Sequence, residues 1–283
     1  MNNPSTASIQ ADEAWRVNLR GGQKTLAGTA TWWTGKPPAQ CPGLTADGTL
    51  TALPLPNLAP CTRREVQDYF DSGWTLTETL FSALQGEEAF YRPPYHGLRH
   101  PMIFYYCHPV VLYINKLLVA RLIEAPLNPY FEKLFEVGVD EMRWDDMSKN
   151  EMLWPSIDEV HAYRASAHAL ISQVIATHPG LADGHAPITQ RDPLWALFMA
   201  FEHERIHLET SAVLVHELPL TPLRRPAARP PPPAGARQQP GRGRRAGAGR
   251  APGAGARRRA ERLGTRRHSR ASSLGGRPGG HQP

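Results

Sequence analysis

Two histidines four residues apart, His203 and His207, sit in the run Phe201-Glu202-His203-Glu204-Arg205-Ile206-His207-Leu208-Glu209. On a helix that spacing places two imidazoles one turn apart on one face, where they can grip a single metal ion. Met199, Ser211 and Leu214 continue the same face toward the expected core. An isolated core histidine is usually a satisfied polar group, but a pair at this spacing in an otherwise apolar helix points to a metal. The same residues spell H-E-x-x-H, the zinc peptidase motif, with Glu204 as its general base. That chemistry needs a third ligand downstream, and the metzincin positions for a glycine and a third histidine hold Thr210 and Val213 instead. Beyond them lie only His216, Glu217 and a segment unfit to build a site, and no edge strand to align a peptide is visible.

A third ligand is therefore sought upstream, among His96, His100, His108, His161, His168, His178 and His185. His161 and His168 lie seven apart on one helix face, and either could simply be solvated. His178 and His185 flank a loop. His108 falls mid-helix in FYYCHPVVLYINK, where a free imidazole is poorly served, and spacing alone favours it modestly. Its neighbour Cys107 points about 100° away around the same helix and reads as packing.

The elements that must carry these residues are helical. Thr62-Arg63-Arg64-Glu65 is a capping box, opening a helix with Phe70, Trp74, Leu76, Leu80, Phe81 and Leu84 on its apolar stripe. After a break at RPPYHGLRHP, a second helix begins near Pro101, a tolerated first-turn position. It covers MIFYYCHPVVLYINKLLVARLI, with a kink expected at Pro109. NPYFEKLFEVG predicts a short helix closing at Gly138. Ser156-Ile157-Asp158-Glu159 is a second capping box, and Pro179 and Gly180 end its helix. Asp192-Pro193 predicts an N-cap followed by proline at N1, for a last helix running to about residue 218. Four long helices without a convincing alternating strand predict an all-α, up-down four-helix bundle. Residues 62–220 form this metal-binding domain, and residues 1–61, rich in Pro, Gly and Thr, an irregular N-terminal extension that wraps it.

Composition divides the chain sharply. The overall charge is +6. Residues 221–283 hold 16 arginines, no lysine and one acid, Glu261, for +15; the preceding residues hold 16 basic and 25 acidic groups, for −9. Basicity thus belongs to the last segment, and the overall charge does not argue for a nucleic-acid partner. Of those last 63 residues, 49 are Arg, Gly, Ala or Pro, with no aromatic, valine or isoleucine. Such a segment cannot bury enough apolar surface to offset its ordering entropy, so a disordered tail is expected. The abrupt switch also has the look of out-of-frame translation of a GC-rich gene. The three cysteines, Cys41, Cys61 and Cys107, lack C-x-x-C spacing and fit a reducing compartment. The start is polar, without a signal-peptide stretch, and no run approaches 18 apolar residues. The expectation is a cytoplasmic protein without a membrane span.

Three long stretches carry a resemblance. YFDSGWTLTETLFSALQGEEAFYRPPYHGLRHPMIFYYCHPVVLYINKL, NPYFEKLFEVGVDEMRWDDMSKNEMLWPS and PLWALFMAFEHERIHLETSAVLVHELPL, with TATWWTG and LPLPNL earlier, closely resemble the N-terminal domain of the 5-histidylcysteine sulfoxide synthases, which open ovothiol biosynthesis. The likeness covers most of residues 30–220. It implies a DinB-like four-helix bundle holding non-haem iron(II) on three histidines, one from an upstream helix and an H-x-x-x-H pair on the last; the matching positions are His108, His203 and His207. It further implies an O₂-dependent oxidoreductase that joins the sulfur of L-cysteine to the imidazole C5 of L-histidine. Members of that family continue into a formylglycine-generating-enzyme-like domain, and many into a methyltransferase domain. The Arg/Gly/Ala/Pro segment stands in that place here, so this chain alone is expected to be incomplete for the full reaction. Two other readings remain: a non-catalytic metal-binding fragment, and a DinB-like or zinc metallohydrolase using His203-Glu204-x-x-His207.

Overall fold

The computed structural model describes residues 14–20, 29–94, 99–136, 153–219 and 223, all within one compact unit. Six α-helices and no strand occur among them: α1 (Arg63–Phe81), α2 (Glu87–Tyr91), α3 (Met102–Val119), α4 (Pro129–Leu134), α5 (Ile157–Thr177) and α6 (Trp195–Glu217). The four long helices make the bundle, with α3 and α1 each packed between α5 and α6. Tyr105 meets His207 while Tyr113 meets Phe201, so α3 and α6 run antiparallel. Gln67 bonds Ser172 while Glu78 pairs with Arg164, which sets α1 antiparallel to α5.

Local chemistry explains most helix boundaries. Both capping boxes form: Thr62 with Glu65 at the start of α1, and Ser156 with Glu159 at the start of α5. Asn128 caps α4 by accepting from the amides of Tyr130 and Phe131, with Pro129 in the first turn. The expected close at Gly138 lies outside the described residues, as does the Arg/Gly/Ala/Pro segment apart from Leu223, which forms an antiparallel bridge with Leu84.

Several expectations are corrected. Pro101 is the N-cap of α3 rather than its first helical residue, and α3 continues unbroken through the buried Pro109 to end at Val119, short of Ile123. Asp192 does not cap α6. Its carboxylate is taken by the amide and hydroxyl of Thr189, and α6 starts after Leu194, which is already helical. Leu76 and Leu80 are only partly buried, whereas Phe70, Trp74, Phe81 and Leu84 are core. By length and composition α3 could cross a membrane, but 72% of it is buried inside the bundle, as a core helix would be.

The N-terminal segment is fastened to the bundle by a buried charge. Trp32 is fully buried, stacks on Tyr106 at 5.2 Å and donates its indole N–H to the Glu78 carbonyl. The Glu78 carboxylate accepts from the Thr34 amide and hydroxyl and from the Trp74 indole. Its cation is Arg164, wholly buried, 3.5 Å away and held 4.4 Å from the ring centroids of both Trp74 and Tyr106. Gly35 must be glycine for close approach, because a Cβ there would sit 2.8 Å from Trp74 and 2.9 Å from His168.

Candidate metal centre

The fold brings His108 from α3 against His203 and His207 from α6. Ring centroids lie 4.5 Å apart for His108 and His207, 5.1 Å for His108 and His203, and 4.3 Å for His203 and His207. One nitrogen from each ring falls within 4.8 Å of the other two. His108 and His207 are buried and His203 is partly exposed, so the cluster opens at its His203 edge. Phe104 stacks on the His108 ring at 4.8 Å. His108 Nδ1 donates to the Phe135 carbonyl at 2.6 Å, at the end of α4. That bond turns Nε2 of His108, a bare lone pair, toward the cluster, as outer partners of metal-bound histidines commonly do.

The electrostatics favour three uncharged rings. Burial pulls the pKa of His108 down, against the opposing pull of the Phe135 carbonyl. Burial, reinforced by the neighbouring His108, pulls His203 down to about 4 and His207 to about 2. Neutral imidazole is the form that binds metal. His203 Nε2 and His207 Nε2 are 3.0 Å apart, close to the separation of two donors bound at a right angle to one ion at about 2.0–2.1 Å. Among the described residues, Nδ1 of both rings is buried without a hydrogen-bond partner. Converging lone pairs repel one another unless a cation or a proton lies between them, so the donor set fits a divalent ion.

The metal-free centre should also respond to acid. The unfolded chain takes up protons at its histidines near the ordinary value of about 6.5, while the folded chain resists down to about 4 at His203. Between those values the unfolded state binds more protons, so stability falls as pH falls. Urea unfolding in the presence of chelator should show this slope between pH 6.5 and 4.5, and it should shrink in His203→Gln and His207→Gln. A slope unchanged by those substitutions would refute the assignment.

The other upstream histidines that the structure describes are occupied elsewhere. His161 bonds the Tyr106 hydroxyl and the Thr31 carbonyl, and His168 bonds the Asp71 carboxylate. His178 accepts from the Gly180 amide, and His185 reaches the carbonyls of Cys61 and Ala186. His100 packs beside Phe104 and Trp154, and His96 lies outside the described residues. Cys107 is fully buried and takes no part in the cluster. Met199, expected on the core-facing side of α6, is 45% exposed, whereas Ser211 and Leu214 are buried as expected.

Glu204 faces away from the histidines. Its carboxylate is buried, accepting from Thr77 Oγ1 at 3.0 Å and Tyr113 Oη at 2.9 Å. A peptidase base must reach a metal-bound water, and this carboxylate instead occupies the interior between α1 and α3. Neither partner, nor the Phe135 carbonyl, was legible from spacing, since all three lie far away in sequence.

A helical bundle with three converging imidazoles on two of its helices is a domain able to hold one metal ion, and among the described residues no carboxylate joins the cluster. The DinB superfamily profile matches residues 69–211, half of the chain and all three histidines, and the chain belongs to that superfamily, whose members are often metal-dependent enzymes. No curated protein matches the chain.

Proposed function

We propose that His108, His203 and His207 hold iron(II), and that the bundle is the iron-binding domain of a sulfoxide synthase acting on L-cysteine, L-histidine and O₂. The observation that carries this reading is the all-imidazole donor set, buried on one side and opening at His203. Three neutral donors on one side of an iron ion leave positions open for other ligands. The sequence likeness over residues 30–220 supplies the substrates. In the reaction the cysteine S–H and imidazole C5–H bonds break and a C–S bond forms. One oxygen atom of O₂ goes to the sulfur and the other leaves as water. Bound iron(II) supplies the redox chemistry with O₂. The chain supplies His108 fixed by Phe135, Phe104 and Tyr105 packed beside the rings of His108 and His207, and rings held neutral at physiological pH. The engagement of Glu204 by Thr77 and Tyr113 argues against the zinc peptidase alternative. We place residues 62–220 as the metal-binding unit and the protein in the cytoplasm, in keeping with three free, buried cysteines.

The test is to load the chain with Fe(II) and add cysteine, histidine and O₂. Iron-dependent O₂ uptake that requires cysteine is expected, with 5-histidylcysteine sulfoxide sought by mass. Uptake without that product would mean that the bundle needs further pocket wall to orient histidine, because positioning within about 3–3.5 Å supplies much of the barrier lowering. No cysteine-dependent uptake and no product would refute the proposal.

A further inference from the structure

Helix α6 does not choose its rotation by apolar burial alone. Its core-facing set is Leu197, Phe198, Ala200, Phe201, Glu204, His207, Ser211 and Leu214. Met199, Ile206 and Val213, spaced by seven, lie 45%, 61% and 62% exposed on another side. These three lie roughly opposite the buried face at about 100° per residue, so apolar burial settles which side of α6 faces inward but does not fix its rotation to within a few tens of degrees. A shared metal ion needs finer alignment than that. With side chains reaching about 5–6 Å from the axis, a rotation of about 20° moves a ring by about 2 Å, the length of a metal–nitrogen bond.

The buried carboxyl group at position 204 distinguishes between rotations. It is 2% exposed and satisfied by two hydroxyls, Thr77 on α1 and Tyr113 on α3. Gly73, one turn before Thr77, borders the same carboxylate, and a Cβ there would make only an ordinary contact of 3.6 Å with Glu204 Oε2. Any other rotation strands a buried carboxylate, and fixing register is the best-attested use of a buried polar group. Glu204 follows His203 directly, so its direction, about 100° round the helix, sets the direction of His203 and, one turn on, of His207. Tyr113 lies on the helix that carries His108, and the same hydrogen bond therefore references both ligand-bearing helices to each other.

We infer that Glu204 is a positioning residue for the histidine centre, clamping α6 to Tyr113 and Thr77 so that His203 and His207 face His108. The inference rests on the metal reading above and gives the acidic residue of H-E-x-x-H a role without contact to the ion.

Co(II), followed by calorimetry and by its visible d–d absorption, is the probe, with the full chain. The triple substitution Glu204→Met, Tyr113→Phe, Thr77→Val replaces the network by apolar groups of similar size, a change that often leaves stability intact or raised. The expected result is a retained thermal midpoint with Co(II) affinity at least tenfold weaker and an altered d–d band. A merely structural role would move affinity and midpoint together, so unchanged affinity, or a loss of affinity only in proportion to stability, overturns the inference. Should the triple variant not fold, Tyr113→Phe alone is read for a threefold or greater loss of affinity, and an unchanged value is equally decisive against it. Absence of Co(II) binding by the unaltered chain would instead overturn the metal reading on which this one stands.

Discussion

Alanine at His108 is expected to weaken Fe(II) binding by on the order of a hundredfold, as is alanine at His203 or His207, since two imidazoles hold a divalent ion far less well than three. No fourth His, Cys, Asp or Glu joins the cluster among the described residues, so no spare donor can step in. His108→Ala removes the ligand whose direction is fixed by the Phe135 carbonyl and should have the largest effect of the three. Glu204→Gln keeps an acceptor for one of the two hydroxyls and should retain about one ion per chain. Competition with a chromophoric chelator reads both results. Full stoichiometry and affinity in His108→Ala would place the third ligand elsewhere.

The second large effect concerns stability. Arg164→Met is expected to destabilise the fold by about 3–5 kcal/mol, the range for removing one partner of a buried ion pair. Arg164 and Glu78 are both fully buried, and the carboxylate left behind would keep only Thr34 and Trp74 as donors. The loss of guanidinium packing against Trp74 and Tyr106 adds to it. For a domain of this size that corresponds to about 10 °C or more in thermal midpoint. Adding Glu78→Gln should recover a large part, because the stranded charge is gone. A loss below about 1 kcal/mol in the single variant would show that the pair contributes little, and that apolar burial of Trp32 alone holds the N-terminal segment.

The sequence made the frame legible where chemistry is local. Both capping boxes lie within four residues, and the His203/His207 spacing is set by helix pitch, so each could be read without knowing the fold. What could not be read depends on contacts between distant residues. The Phe135 carbonyl meets His108 from 27 residues away, Tyr113 meets Glu204 from 91, and Arg164 meets Glu78 from 86. Nothing in their spacing marks them, because backbone oxygens and phenols carry no pattern. Asp192 misled for a related reason: Asp-Pro is a sound helix-start signal, but a competing acceptor role toward Thr189 captured the side chain first. Met199 misled because α6 carries apolar residues all round, so periodicity could not single out its inner face. Of the histidines weighed, His108 was singled out by likeness rather than by spacing, and the structure places it beside the pair.

The Nε2 atoms of His203 and His207 lie 3.0 Å apart, and a neutral ring can offer Nε2 to a metal only while its hydrogen sits on Nδ1. Presenting both lone pairs at once requires the Nδ1–H tautomer in both rings, and a neutral imidazole changes tautomer through solvent rather than within the ring. His108 needs no such exchange, because the Phe135 carbonyl already keeps its proton on Nδ1. The fold therefore selects the metal-competent tautomer at His108 through a backbone acceptor, whereas Nδ1 of His203 and of His207, buried without a hydrogen-bond partner among the described residues, has no such selection. Solvent meets the pair at His203, the least buried of the three rings. Tautomer selection is thus built into the helix that carries His108 and left to solvent on the helix that carries the pair.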